Sequence, residues 1–222
     1  MGHPHDAAAL AALFLALEQE GAHNINLVTA SHHLPHIVTA LEQAKSAGLS
    51  IPVIYNTSGY ETTEAVAMLH GLVDIYLTDM RYASAKTAAK YSFAADYPTV
   101  ATKALAAMVS SVGAPKTDAE GMMTQGVIVR LLLLPGQLIE AKKILKHVYG
   151  TYGERVYISL MSQYTPPPDI GEKYPALART VSPYEYASLV SYARTLGVTQ
   201  AFVQEGSAAS ESFIPDFLGK KE

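Results

Sequence analysis

The 222-residue chain contains no cysteine. That absence excludes disulfides, thiolate nucleophiles and any iron–sulfur or zinc centre built on thiolates from this stretch. Charge is sparse as well: charged residues make up 16% of the chain, the net charge is −4, and the Lys and Arg residues are scattered. Nucleic acid is therefore not an expected partner. No apolar run approaches the ~18 residues that a membrane-spanning helix requires. Neither end carries a basic segment followed by an apolar stretch and a small-residue cleavage site, so a cytoplasmic location is expected. Three familiar motifs are also missing. There is no G-x-G-x-x-G or Walker loop for phosphates, and no G-x-S-x-G elbow for a nucleophilic serine.

What is present is core: 49% of the residues are hydrophobic, enough to bury a large interior in a single domain. The clearest unit spans residues 51–60, IPVIYNTSGY. Its first five residues read as a buried strand, with Pro52 near the start, where a missing N–H costs least. Asn56-Thr57-Ser58-Gly59 then forms a polar tip, and a helical rhythm follows over 61–69. The same order recurs along the chain. Strands are expected at 23–29, 51–55, 73–77, 126–134, 156–161 and 199–203, with helices between them and a helix at 7–20 before the first. Asp6 suits the N-cap of that opening helix, and Ser182-Pro183-x-Glu185 suits the start of the last one. Residues 116–125 read as a loop, 165–174 as an irregular excursion, 1–6 as a flexible N-terminus and 206–222 as a C-terminal tail.

No hairpin signal of the Asn-Gly kind occurs, and right-handed crossovers between successive strands give a parallel sheet. The expected fold is α/β, a partial (β/α)6 TIM-like barrel over 7–205, with a doubly wound open sheet as its competitor. Such folds keep their chemistry at the strand C-termini. The polar tips there are Thr29, Ser31 and His32; Asn56, Thr57 and Ser58; Asp79 and Arg81; Arg130; and Gln163 and Tyr164. Two arginines, one acid and several neutral donors suit a small zwitterion or carboxylate. Ser31, Thr57 and Ser58 are equally suited to capping the helices that start beside them. Asp79, directly after an apolar strand and followed by Arg81, is either half of an ion pair or a ligand group. His32, His33 and His36 lack a nearby carboxylate to complete a metal shell, and Pro35 interrupts their spacing, so no metal site is expected.

Six blocks carry a family likeness: HNINLVTASH, IPVIYNTSGYET, LVDIYLTDMRY, KYSFAADYPTVA, VRLLLLPG and LMSQYTP. In this order and spacing they resemble the radical S-adenosylmethionine proteins of the pyruvate formate-lyase activating enzyme-like family. The resemblance implies a partial barrel that holds a 4Fe–4S cluster and S-adenosylmethionine at the strand C-termini. It implies an oxidoreductase that cleaves the sulfonium reductively and abstracts a hydrogen atom, in activating enzymes from a glycine of a glycyl radical enzyme. It assigns cofactor-binding roles to Thr29, Asn56, Thr57, Asp79, Arg81, Arg130 and Gln163. Arg81 stands where the family usually has Lys, and Leu131 where a His often follows Arg. The larger departure is that the family's C-x-x-x-C-x-x-C has no counterpart. That motif would lie on a first strand upstream of the opening helix. The expectation is therefore a barrel short of that strand, inactive alone, or else a non-catalytic protein binding S-adenosylmethionine or a partner. A barrel short of a strand exposes an edge along 24–28, and association through that edge is expected.

Overall fold

The strands lie in the sheet in the order in which they occur in the chain. In the computed structural model, which describes residues 5–203, the parallel strands are Ile25–Val28 (β1), Val53–Thr57 (β2), Ile75–Asp79 (β3), Met123–Leu132 (β5), Tyr157–Met161 (β6) and Ala201–Val203 (β7). A two-residue strand, Lys116–Thr117 (β4), pairs antiparallel with the start of β5. The connections carry the helices Ala7–Gln19 (α1), Leu34–Ser46 (α2), Thr63–Met68 (α3), Ala85–Ser92 (α4), Tyr97–Val112 (α5), Leu138–Tyr152 (α6), Ile170–Lys173 (α7) and Pro183–Leu196 (α8). Successive parallel strands joined by right-handed crossovers put their helices on one face. The sheet is open: among the described residues β1 and β7 each pair with one neighbour. This is the winding of a partial barrel rather than of a doubly wound sheet. No helix among the described residues is long and apolar enough to cross a membrane.

The cross-strand register divides the side chains into two sets. One set runs Ile25–Val53, Leu27–Tyr55–Tyr76–Val127, Thr57–Thr78–Val129–Ile158 and Leu131–Leu160. Every one of these residues is buried, and together with the helices their apolar members form the core. The other set runs Asn26–Ile54–Ile75–Gly126, then Val28–Asn56–Leu77–Ile128–Tyr157, then Asp79–Arg130–Ser159–Phe202, then Leu132–Met161. Most of these are half-buried or exposed, and even the buried Ile75 lies outside the core cluster. Among the described residues, one face of the sheet is thus covered by helices and the other is open.

Local signals place the helices well. Asp6 accepts the Ala9 N–H at 2.8 Å and caps α1. Ser182 and Glu185 form a reciprocal capping box at α8, where Arg179 and the Gly136 N–H also reach the Glu185 carboxylate. These donors hold the Glu185 carboxyl well below the usual carboxylate range, with the Arg179 guanidinium contributing most. Three expectations need correction. The strands β2 and β3 run two residues further than their apolar stretches, so Asn56, Thr57 and Asp79 lie inside strands. The expected loop at 116–125 contains β4 and a turn closed by Asp118, which accepts the Glu120 and Met122 N–H groups. The excursion at 165–174 includes the single turn α7. The expected tail at 206–222, and residues 1–4 of the expected N-terminal segment, lie outside the described residues.

Among the described residues the exposed edge is found at β1, within the expected span. Ile25 and Leu27 are buried against the helices, and the outward residues are Asn26 and Val28. Ile25 and Thr29 donate their N–H groups to the Pro52 and Asn56 carbonyls, so Asn26 and Val28 present theirs to the free side. Lysine at Ile25 would break the core and says nothing about the edge. The informative variant is Val28→Lys, at a side chain 64% exposed. Association of the parent chain, read by light scattering behind size exclusion, is expected to weaken in Val28→Lys. A monodisperse parent monomer at high concentration would show that the edge is not used.

Candidate functional site

Polar side chains on the open face gather where β2, β3 and β5 end. Asp79 on β3 and Arg130 on β5 are register partners, which brings their side chains out side by side. Arg130 donates from Nε to Asp79 Oδ1 at 2.7 Å and from Nη2 to Asn56 Oδ1 at 2.8 Å. Arg81, two residues past Asp79, donates to the other carboxylate oxygen from Nε at 3.1 Å and Nη2 at 2.8 Å. Asp79 is only 16% exposed and Arg130 23%, whereas Arg81 is 48% exposed. The shielded pair therefore counts for more than an ordinary surface ion pair, which contributes ~0–1 kcal/mol. Both oxygens of Asp79 are committed, and two guanidiniums share the one carboxylate. The network carries an excess positive charge and suits an anionic group better than a cation. Beside it lie half-buried apolar residues of the same face: Ile54, Leu77, Ile128, Leu132, Tyr157 and Met161.

The turns that carry these residues are held from behind. Gly59 follows β2 with φ of +80°, and a Cβ there would lie 2.3 Å from the Asp79 carbonyl oxygen. Only glycine permits this approach of the β2 turn to β3. After Arg81, the Ala83 and Ser84 N–H groups donate to the Glu140 carboxylate of α6 at 3.1 and 3.0 Å. Burial pushes the Glu140 carboxyl up, but the Ser84 and Ala83 donors and the Lys143 ammonium outweigh it and hold the group below its ordinary value. On the covered side, Glu61 is buried and its Oε1 accepts from Ser31 and Thr57 hydroxyls, both at 2.6 Å. The Tyr55 hydroxyl reaches the same oxygen at 3.4 Å, and burial pushes its phenol up to about 12.

The residues expected at the site separate accordingly. Asn56, Asp79, Arg81 and Arg130 come together in one network. Thr57 turns to the covered face and spends its hydroxyl on Glu61, because it is one residue out of phase with Asn56. Thr29 is exposed just past β1 and donates its N–H to the Asn56 carbonyl. Its φ of +53° is costly for a β-branched residue. Gln163 lies two residues beyond β6, in irregular structure. His32, His33 and His36 are exposed, and among the described residues no group of three His, Asp or Glu could hold a metal. Sequence reasoning missed Ser159, which stands next to Arg130 on the open face. A lone polar residue between Ile158 and Leu160 was the available signal. It also missed Glu61 and Glu140, whose partners are brought to them by the fold.

No protein-family model matches the chain. An uncharacterized protein of Methanocaldococcus jannaschii is 24% identical over 143 residues, covering 64% of this chain and 38% of that protein. The chain thus spans well under half of the curated relative it matches. Among solved structures, one similar fold is a domain of pyruvate-formate lyase-activating enzyme from Bacteroides vulgatus. It is 14% identical with a TM-score of 0.52, over 82% of this chain and 98% of that one. Another is HydG, a maturase of the FeFe-hydrogenase, 15% identical with a TM-score of 0.56, over 92% of this chain and 46% of that one. The chain shares the α/β fold of these two structures.

The close approach at Gly59 gives a direct test of how the site is held. Gly59→Ala combines a left-handed backbone with an overlap that only a shift of β3 can relieve, and is expected to cost about 2–4 kcal/mol. Ser58→Ala, on the exposed neighbour, is expected to cost under ~0.5 kcal/mol. Urea denaturation of both variants reads the difference, and similar stabilities would mean that the two turns are not locked together.

Proposed function

We propose that the open face of this radical S-adenosylmethionine-type fold binds S-adenosylmethionine. The observation that carries this reading is the uncovered Asn56–Arg130–Asp79–Arg81 network, with its excess guanidinium charge, standing beside an apolar strip. Arg130 and Arg81 would hold the ligand's carboxylate, and Asn56 would orient Arg130. The half-buried apolar residues, Ile128, Leu132 and Tyr157 among them, would take the adenosyl part. When bound, this cofactor supplies a sulfonium open to reductive cleavage for hydrogen-atom abstraction. The chain's own residues bind the charged end, exclude water from the apolar end and fix the orientation between them.

The 4Fe–4S cluster that the fold implies does not fit this donor set. No cysteine, and so no thiolate, exists anywhere in the 222 residues. The stretch is read as the cofactor-holding part of a radical S-adenosylmethionine protein, without reductive activity on its own. The missing thiolates also favour a second reading, a binding protein for S-adenosylmethionine or for a protein partner such as a glycyl radical enzyme. Substrate and partner belong to the same proposal.

Two measurements test it. Titration calorimetry with S-adenosylmethionine is expected to show binding that falls about ten- to hundredfold in Arg130→Ala, as charge-assisted hydrogen bonds are worth ~1.5–3 kcal/mol. A parent chain that does not bind, or an Arg130→Ala variant of equal affinity, would sink the reading. Anaerobic reconstitution with iron and sulfide is expected to yield no stoichiometric cluster. A stable paramagnetic cluster signal after reduction would overturn that part.

A further inference from the structure

We infer that Tyr97 is the positioning residue of the open-face site, its one hydroxyl tying the ends of β2 and β3 together and so fixing where Asp79 and Arg81 stand. The inference rests on the reading that these two residues face the ligand. Tyr97 is the first residue of α5 and is 4% exposed. Its oxygen lies 2.8 Å from the Ser58 carbonyl and 3.2 Å from the Asp79 carbonyl, and it accepts the Arg81 N–H at 3.2 Å. A phenol has one proton and two lone pairs, so it donates to one carbonyl at a time while accepting from Arg81. The backbone on either side of the Asp79 and Arg81 side chains therefore converges on a single atom.

The ring that carries this oxygen is itself held. Tyr82 meets it edge-on at 5.5 Å and 76°. Tyr60 stacks on it at 5.9 Å and 7°, and donates its own hydroxyl to Asp96 at 2.9 Å. Burial pushes the Tyr97 phenol up, so it remains a neutral donor across the working range. Packing alone does not call for the oxygen, since phenylalanine would fill the same space between Tyr60 and Tyr82. What the hydroxyl adds is the junction of two strand ends, at the same Asp79 carbonyl that Gly59 approaches: one atom pulls the ends together, and one missing Cβ lets them close.

Tyr97→Phe keeps the ring and both aromatic contacts and removes only the junction. Exchange of the Arg81 Nε–H, read by nitrogen-15 NMR of arginine side chains, is expected to accelerate towards that of a free guanidinium. The Arg130 Nε–H, held from β5, is expected to stay slow. Affinity for S-adenosylmethionine is expected to fall about tenfold. Leu189→Ala, in the core at α8, is expected to lower the melting temperature at least as much and to leave both readouts at parent values. Unchanged Arg81 exchange in Tyr97→Phe, equal acceleration in Leu189→Ala, or accelerated exchange with unaltered affinity would each overturn the assignment. A parent chain that binds no S-adenosylmethionine ends the functional reading, while the exchange measurement still decides whether Tyr97 sets Arg81.

Discussion

Side chains alternate across a strand, and among the described residues only one of the two faces of this sheet is covered. Much of the architecture depends on that constraint. Because the strands follow one another in order, their crossover helices accumulate on one side, and the strands send alternate residues there, most of them hydrophobes. Fully burying such a side chain is worth ~1.5–3 kcal/mol. With Val53, Tyr55, Tyr76, Val127, Val129, Leu131, Ile158 and Leu160 all on that side, the phase of each strand is fixed. The residues between them are left free of packing duty. Asp79 and Arg130 can be an ion pair because their neighbours Thr78 and Val129 already anchor β3 and β5.

The same parity explains where the sequence was readable and where it was not. The apolar runs at 51–55 and 73–77 locate β2 and β3, but they stop where the open face turns polar, and so they understate the strands. Polar residues inside a strand look like a tip when read in one dimension. Asn56 and Asp79 stand out in the sequence for that reason, and the structure brings them together with Arg81 and Arg130. Adjacency in the sequence groups Thr57 with Asn56, although adjacency in a strand means opposite faces. The β4–β5 pairing was illegible because a two-residue strand carries no periodicity.

Long-range polar partners were the other blind spot. Glu61, Glu140 and Tyr97 reach groups 30, 57 and 39 positions away in the chain. Nothing in the composition around Glu140, on a regular amphipathic helix, marks it as the residue that holds the turn after Arg81. Capping signals are more legible because their chemistry is local: the caps made by Asp6, Ser182 and Glu185 join groups three residues apart.

The division into covered and open residues has a consequence for how such a protein can change over time. Neighbouring positions such as Thr78 and Asp79, or Val129 and Arg130, answer to different demands, one to folding and the next to whatever the open face meets. Substitutions at the second kind alter recognition while leaving the core untouched. A lineage carrying this sheet can therefore vary the chemistry of that face one alternate residue at a time, at a cost set by the polar network rather than by the core.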